Sequence, residues 1–320
     1  RRQQNTAPLS DSDRFRSAID DVQADALLVA YANGNVLGNS DFSDIVDTLV
    51  ETGDVDPRDA TLAFAVTARD NGFGARAVIA LESGFGSFAP ALTGTTDLAT
   101  ISGMTPDDAL FLFAGSGLHD SLVDALESVG DDPMVTDTLA PFEDLLGLDL
   151  EEDLIALFGN SYGFAMGGNG LTSEQTDFSD MWALGLIEST DPVRLSERLD
   201  LVSSELQFFI CNCDLGVIVV DSGNYVSLQW PDAALSDATL DEDPAFIATL
   251  ELLGRDPTNL LFVNISELPV ELLRGPGSSL GADPDDYDMD LTVLPGFAVA
   301  THADDTSFSI DFVLPVTTQE

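Results

Sequence analysis

A strand, a helix and a hairpin follow one another three times along this chain. Each repeat opens with an apolar run of strand length after a polar turn, at residues 26–31, 109–113 and 259–264. Such runs, bounded by turn residues, are typical of β-strands. This order of elements limits the fold more than any single motif does, because each strand must pair and each apolar face must be covered.

Each of the three strands is followed by apolar residues at helical spacing. The first set is Phe42, Ile45, Val46, Leu49 and Val50, between a capping Ser40 and Gly53. The second set ends at Gly130, and the third runs from a Ser266 cap to Gly275. A polar cap before the apolar stripe and a glycine after it are the usual limits of an amphipathic helix.

Paired strands then complete each repeat. The predicted hairpins join 62–68 to 75–81, 162–167 to 181–187, 216–220 to 225–230, and 297–301 to 307–314. Asn71-Gly72 in the first of them supplies the positive φ angles of a tight turn. Consecutive hairpins form antiparallel sheets. We therefore predict an α+β fold in which antiparallel sheets carry helices on one face, with internal strand-helix-hairpin repeats.

The 320 residues are enough for two compact units. The middle repeat is expanded by predicted helices at 139–146, 150–158 and 193–206, so the repeats are unevenly spaced. Thr105-Pro106 separates a finished hairpin from a new strand. We predict a partial N-terminal repeat at 1–104 and a full α+β unit at 105–320.

The charge is strongly one-sided. Asp and Glu number 57 against 11 basic residues, all of them arginine, and the formal net charge is −46. Such a surface repels phosphate, so nucleic acid is excluded as a partner. The abundance of Asp fits a surface adapted to high salt, weak binding of divalent cations, or solvation alone.

No apolar run approaches the roughly 20 residues that a membrane helix needs. The chain as given therefore has no transmembrane segment, although its polar start at Arg1 is compatible with a membrane anchor before residue 1. The two cysteines, Cys211 and Cys213, are separated by one residue, and a disulfide between them closes a strained ring. We expect unpaired thiols or, alternatively, such a strained disulfide.

Two motifs resemble catalytic sites. Gly159 to Gly163 matches the G-x-S-x-G pattern around Ser161, but a nucleophile elbow needs a strand before the serine and a helix after it, and here the predicted order is reversed. His119 and His302 are the only histidines, and neither has a nearby cluster of chemical partners. We therefore predict no catalytic residues and no enzyme activity.

One acidic loop is the best candidate for a ligand. Asp286, Asp288 and Asp290 alternate along residues 283–290, and their carboxylates suit a calcium ion. The loop is not an EF-hand, since Leu291 and Phe297 stand where that motif needs glycine and glutamate. We expect a solvated acidic loop and no cofactor, with a calcium ion at these three residues as the alternative.

Two stretches carry a resemblance to a known family. Residues 148–154, followed by Phe158-Gly159, and residues 240–246, leading through Arg255-Asp256-Pro257 to the strand at 260–264, are similar to motifs of a bacterial family catalogued as domain of unknown function 3352. The resemblance covers about 105–320. It departs from the family where Asn160 and Ser161 follow Gly159, a place where an acidic residue is common.

Members of that family are typically exported, often with an N-terminal membrane anchor, and no activity is established for them. The resemblance implies an extracytoplasmic location and supplies no catalytic residues. Two functional hypotheses follow. The first is a non-catalytic exported or cell-surface protein that acts through protein contacts or self-association, for example as a subunit of an envelope assembly or fibre. The second is a binding module for a divalent cation or a small apolar ligand, with residues 208–210 among the lining candidates.

Overall fold

The fold comes from a computed structural model. It describes residues 15–16, 19, 22, 26–33, 60–81, 94–130, 149, 154–168, 181–209, 216–219, 224–230, 236–268, 293–303 and 307–316. The predicted helices at 40–53 and 139–146, most of the predicted helix at 266–275, and the acidic loop with Asp286, Asp288 and Asp290 lie outside these residues.

Within these described ranges, eleven strands form one sheet in which every neighbouring pair is antiparallel. They are β1 (Ala26–Asn33), β2 (Ala60–Arg69), β3 (Gly72–Leu81), β4 (Ala109–Gly115), β5 (Phe158–Gly168), β6 (Met181–Ser189), β7 (Gly216–Val219), β8 (Tyr225–Trp230), β9 (Asn259–Asn264), β10 (Gly296–Ala303) and β11 (Ser307–Pro315). Their order across the sheet is β1-β2-β3-β11-β10-β9-β4-β5-β6-β8-β7. The predicted antiparallel architecture is therefore confirmed.

Residues 15, 16 and 19 are helical, and four α-helices with defined bounds accompany the sheet in the described part of the chain. They are α1 (Leu98–Ser102), α2 (Leu118–Gly130), α3 (Pro192–Phe209) and α4 (Pro244–Leu253), with 3-10 turns at Ile155–Leu157 and Leu240–Glu242. The limits of α4 follow from its sequence. The Asp243 side chain caps its first turn by accepting a hydrogen bond from the Phe246 backbone N–H at 2.8 Å, and left-handed Gly254 ends it.

Nine of the strands make three meanders of three strands each, and β8 and β7 extend the sheet beyond β6. In each meander, β1-β2-β3, β4-β5-β6 and β9-β10-β11, the strands pair in chain order. The first meander joins the third through the β3–β11 pair, and the third joins the second through β9–β4. Strands from both sides of the predicted 104/105 boundary thus share one sheet, and the division into two units stays a prediction.

The main core lies on one side of the sheet, called the inner face here. Side chains of alternate strand positions, among them Leu112, Leu260 and Phe262, are buried there against α1 and α4. Phe246 of α4 meets Phe262 edge to face with ring centroids 5.0 Å apart. Burial of these apolar side chains is the main force that holds α4 to the sheet.

Helix α3 packs against the opposite side, the outer face. Its Leu195 and Leu199 are buried with Val226 of β8, whereas the preceding residue, Tyr225, belongs to the inner core. Successive strand residues point to opposite faces, so α1 and α4 cover one face and α3 the other. The prediction that helices cover a single face is not confirmed.

One predicted helix ends differently in the structure. The helix predicted for 150–158 is wrong at its end, because Ile155–Leu157 is a 3-10 turn and Phe158 already begins β5. The stretch is short and apolar, and such a run suits a helix or a buried strand equally well.

Within the described residues, no helix is both long and apolar enough to cross a membrane.

Candidate functional site

Three consecutive exposed apolar side chains lie on the edge strand β1. Leu27, Leu28 and Val29 are 72%, 56% and 43% exposed. β1 is the first strand of the sheet, and within the described residues no strand pairs with its other side. Antiparallel pairing with β2 uses only half of the backbone N–H and C=O groups of a strand. The remainder form a template on which a further strand can pair.

The pairing of β1 with β2 is regular over most of its length. The register shifts between Ala26 and Leu28, which makes Leu27 the residue at an irregular position, and it is then continuous from Leu28 to Asn33. Such a bulge bends one end of an edge strand. The following six residues of regular strand remain suitable for a neighbour.

An apolar row crosses the outer face from one edge of the sheet to the other. The register places these residues directly beside one another: Leu28, Val66, Ala75, Phe312, Val299, Leu261, Phe113, Phe164, Gly185, Leu228 and Val217. No member of this row is charged. The row links the exposed edge to the middle of the sheet without a polar break.

Several aromatic and aliphatic side chains of this face are partly open to solvent. Phe64, Phe73, Phe113, Phe164, Leu261, Ile310 and Phe312 are between 37% and 50% exposed. Exposed apolar side chains that adjoin one another mark a contact or ligand surface more often than isolated ones do. This outer-face cluster is the second candidate surface.

The inner face contains a buried group of charges around Asp311. Arg76 donates from Nε to Asp311 Oδ1 at 2.5 Å and from Nη2 to Oδ2 at 3.2 Å. Arg255 donates to Asp311 Oδ2 at 2.8 Å and to the Ser309 hydroxyl at 2.5 Å. His302 Nδ1 lies 3.1 Å from Asp311 Oδ2. The aspartate side chain is 5% exposed, so its charge depends on these partners.

The pKa of Asp311 records this balance. Burial of the carboxyl by itself raises the pKa, but the hydrogen bonds from His302, Arg76 and Arg255 outweigh it and hold the pKa well below its ordinary value. A shallow cleft beside the group is lined by Arg69, whose Nη1 donates to the Leu252 carbonyl at 2.8 Å. This arginine therefore satisfies the last turn of α4. The cluster ties β3, β10 and β11 to the loop after α4.

Ser161 does not have the surroundings of a nucleophile. It is buried within β5, and strand continues on both sides of it. Its hydroxyl accepts a hydrogen bond from the Asp97 backbone N–H at 3.2 Å, and its own N–H donates to Glu188 at 2.8 Å. Tyr225 is close to this group, and burial raises the pKa of its hydroxyl. These contacts join α1 to β5, β6 and β8.

The two histidines are far apart in the fold. His119 lies on α2, with Nδ1 3.1 Å from the Ile155 carbonyl, and His302 lies on β10 beside Asp311. Sequence reasoning missed the Asp311 group. The alternation in 307–314 places Asp311 and Ser309 on one face of a strand but does not show that this face is buried.

Other carboxylates approach one another near the start of α4. Burial and the charges of Asp108, Asp243 and Asp107 raise the pKa of Glu267. Asp108 also accepts a hydrogen bond from Trp182 Nε1 at 3.2 Å. Across the described ranges, no three His, Cys, Asp or Glu side chains come together as metal ligands. The calcium prediction at Asp286, Asp288 and Asp290, like the redox state of Cys211 and Cys213, falls outside those ranges.

No protein-family model, no curated protein and no solved structure matches this chain. The resemblance of residues 105–320 to the bacterial family of unknown function stays a prediction.

Proposed function

We propose that this chain is a non-catalytic protein that acts through contacts with other proteins, made by pairing a strand with the open edge of β1. The observation that carries the proposal is the exposure of Leu27, Leu28 and Val29 on that edge. Folded proteins usually blunt an edge strand with charge, proline or a covering element. Residues 26–33 contain no charge and no proline. Apart from the bulge at Leu27, the described residues leave this edge uncovered, and an apolar edge of this kind is the surface used in β-strand addition.

Three polar groups of the described chain support this reading because they already serve the fold. Ser161 and Glu188 bind backbone groups of neighbouring elements, and Asp311 accepts hydrogen bonds from two arginines. Catalysis needs a nucleophile or base that is free to react and placed beside its partner. We therefore assign no catalytic residues and no enzyme activity to this protein.

We further propose an extracytoplasmic location, as an exported or cell-surface protein. The support is the resemblance at 148–154 and 240–246 to a family of exported proteins. A subunit of an envelope assembly or fibre fits both this location and a sheet with a pairing-competent edge. The three meanders support a further proposal, that the chain arose by repetition of one strand-helix-hairpin unit.

Hydrogen–deuterium exchange with a strand probe tests the edge directly. The probe is a synthetic peptide with the sequence of residues 26–33 flanked by arginines, and its control carries proline at two central positions. If the probe peptide pairs with the edge, hydrogen exchange of the β1 amides slows several-fold. The proline-containing control peptide leaves that exchange unchanged. Unchanged exchange in β1 with both peptides, at concentrations up to the solubility limit, overturns the proposal.

A binding module for a small apolar ligand is the second candidate, favoured by the outer-face cluster. A fatty acid of medium chain length is the probe. If the cluster binds it, calorimetry detects saturable binding that Phe113→Gln and Phe312→Gln both weaken, while Val193→Gln on α3 does not. Binding that is absent, or equally weak in all three variants, removes this candidate.

The divalent-cation alternative rests on Asp286, Asp288 and Asp290 alone. Calorimetry with calcium is the test, with Asp286→Asn and Asp288→Asn combined in one variant. Specific binding requires a saturable signal that the variant loses and that magnesium does not reproduce, because calcium accepts more ligands in a looser geometry. A signal shared equally by both ions indicates only counterion binding to an acidic chain.

A further inference from the structure

The distribution of charge on the chain indicates which partner can pair with the β1 edge. The chain carries a net charge of −46, so two copies repel each other over most of their surfaces. Residues 26–33 are uncharged, and the outer-face row that reaches β1 at Leu28 is uncharged as well. At this edge a second copy can approach without placing carboxylates against carboxylates.

The two edges of the sheet differ in length. β1 has eight residues, while β7, at the other edge, has four. Pairing of β1 with the β7 of another copy uses at most four residues of each strand. Pairing of β1 with another β1 uses the whole regular stretch from Leu28 to Asn33 on both sides. Because each added residue adds backbone hydrogen bonds, the symmetric arrangement is favoured.

The two-fold symmetry allows only a few registers between the two β1 strands. An antiparallel pair of identical strands is related by a two-fold axis perpendicular to the sheet, which keeps the inner and outer faces of the two copies continuous. Directly opposed residues must share a face, so the two numbers in each pair add to an even total. Centring the axis on Ala30 uses the regular stretch almost completely and places Leu28 opposite the partner's Ala32 on the outer face.

We infer that the partner of β1 is a second copy of this chain, joined by antiparallel pairing of the two β1 strands about a two-fold axis at Ala30. This inference rests on the proposed function and names its partner. The resulting dimer has one sheet of twice the eleven strands, with the outer faces of the two copies continuous. Added salt strengthens the dimer, because it screens the repulsion between two acidic chains.

Disulfide trapping tests the axis. Ala30→Cys is introduced after Cys211→Ser and Cys213→Ser, so that the new thiol is the only one. A residue on a two-fold axis of paired strands faces its own copy at about 4.5 to 5.5 Å between Cα atoms, within reach of a disulfide. Mild oxidation is expected to give a covalent dimer of twice the 33.9 kDa chain mass. Val193→Cys, also exposed but on α3, is the matched control and stays monomeric.

Light scattering of the untreated chain gives an independent measurement. We expect a dimer whose dissociation constant falls at least tenfold between 0.05 and 1 M NaCl. Ala30→Glu dissociates it by placing two like charges directly opposite each other on the axis, and Val193→Glu, with the same change of net charge, leaves it intact. Circular dichroism verifies that both variants fold.

The outcomes separate this inference from the proposed function. A monomer at all concentrations, without Ala30→Cys cross-linking, overturns the second copy as the partner. Equal cross-linking of Ala30→Cys and Val193→Cys overturns it as well, since it reflects random collision. If the strand probe still slows exchange in β1 of such a monomer, the proposed function stands with a different partner. If the probe fails too, both fall.

Discussion

Arg76 and Asp311 stand directly opposite each other where β3 pairs with β11, and a bidentate ion pair joins their side chains. The two residues are 235 positions apart in the chain. Their strands connect the first meander to the third, so this pair lies at the junction between the N-terminal strands and the rest of the sheet. The ion pair gives that junction a specific register, because a shift by one residue moves the aspartate to the other face.

Asp311→Ala is expected to destabilise the fold strongly. It leaves Arg76, whose side chain is 18% exposed, as a charge without its partner, and breaking a buried pair from one side costs roughly 3–5 kcal/mol. Urea denaturation followed by circular dichroism measures the loss. Arg255→Ala is the comparison, with a smaller loss, because the Arg255 side chain is 40% exposed. Equal losses in both variants contradict this account.

The contribution of Asp311 has a defined pH dependence. Its pKa in the folded chain is held below the ordinary value by His302, Arg76 and Arg255, against the effect of burial. A carboxyl with a lowered folded pKa stabilises the fold above its unfolded pKa, about 3.9, and loses that contribution as the pH falls through the folded value. The stability difference between the natural chain and Asp311→Ala should stay constant from pH 7 to about 5 and shrink in more acid solution. A difference that already shrinks above pH 5 is incompatible with this mechanism.

The sequence predicts contacts between residues close together in the chain better than contacts between residues far apart in it. The strand at 259–264 and the hairpins of β2 with β3 and β10 with β11 follow from local alternation and turn residues, and the structure has them. The pairing of β3 with β11 joins positions more than 200 residues apart, and no local pattern encodes which strands meet. The buried Arg76–Asp311 pair depends on that meeting and was therefore not predicted.

The candidate surface was only partly predictable for a related reason. An apolar run such as 27–31 is typical of a strand buried on both faces, and its composition is the same in the centre of a sheet. Edge position depends on the strand order, which places β1 at one end and exposes Leu27. The sequence indicated that edge strands existed, but the arrangement of all eleven strands decides which of them is open.

Glu267→Gln is expected to stabilise the fold at neutral pH. Burial and the neighbouring Asp108, Asp243 and Asp107 raise the pKa of Glu267, so its ionised form is disfavoured in the folded chain. A group with a raised folded pKa loses its stabilising contribution as the pH rises through that value. The gain from glutamine should therefore appear at pH 7 and vanish below about pH 4. Thermal melts at both pH values measure it, and Asp256→Asn, with the same change in net charge, controls for general repulsion. An equal gain in the control contradicts a local cause.

Gly72→Ala is expected to destabilise the β2–β3 hairpin and its contact with β11. Gly72 has a φ of +155°, and an added Cβ overlaps the backbone oxygen of Leu314, which cannot rotate away. Strain of this kind costs roughly 1–3 kcal/mol. Gly185→Ala is the control, since its Cβ meets Leu228 at an ordinary 3.5 Å. Urea denaturation should show a loss in the first variant and a change within about 1 kcal/mol in the second. Equal effects argue against a steric cause.

Raising the salt concentration is expected to raise the melting temperature. With 57 acidic residues against 11 basic ones, the folded chain concentrates like charges, and their repulsion weakens as the Debye length falls from about 30 Å at 0.01 M to 3 Å at 1 M salt. Salt screens the attraction within the buried Arg76–Asp311 pair far less. The loss of that attraction is therefore too small to offset the stabilisation from weaker surface repulsion. Circular-dichroism melts in 0.01 and 1 M NaCl, with sucrose of equal osmolality as the control, measure the shift. Superimposable melts in the two salt concentrations rule out adaptation of this acidic surface to high salt.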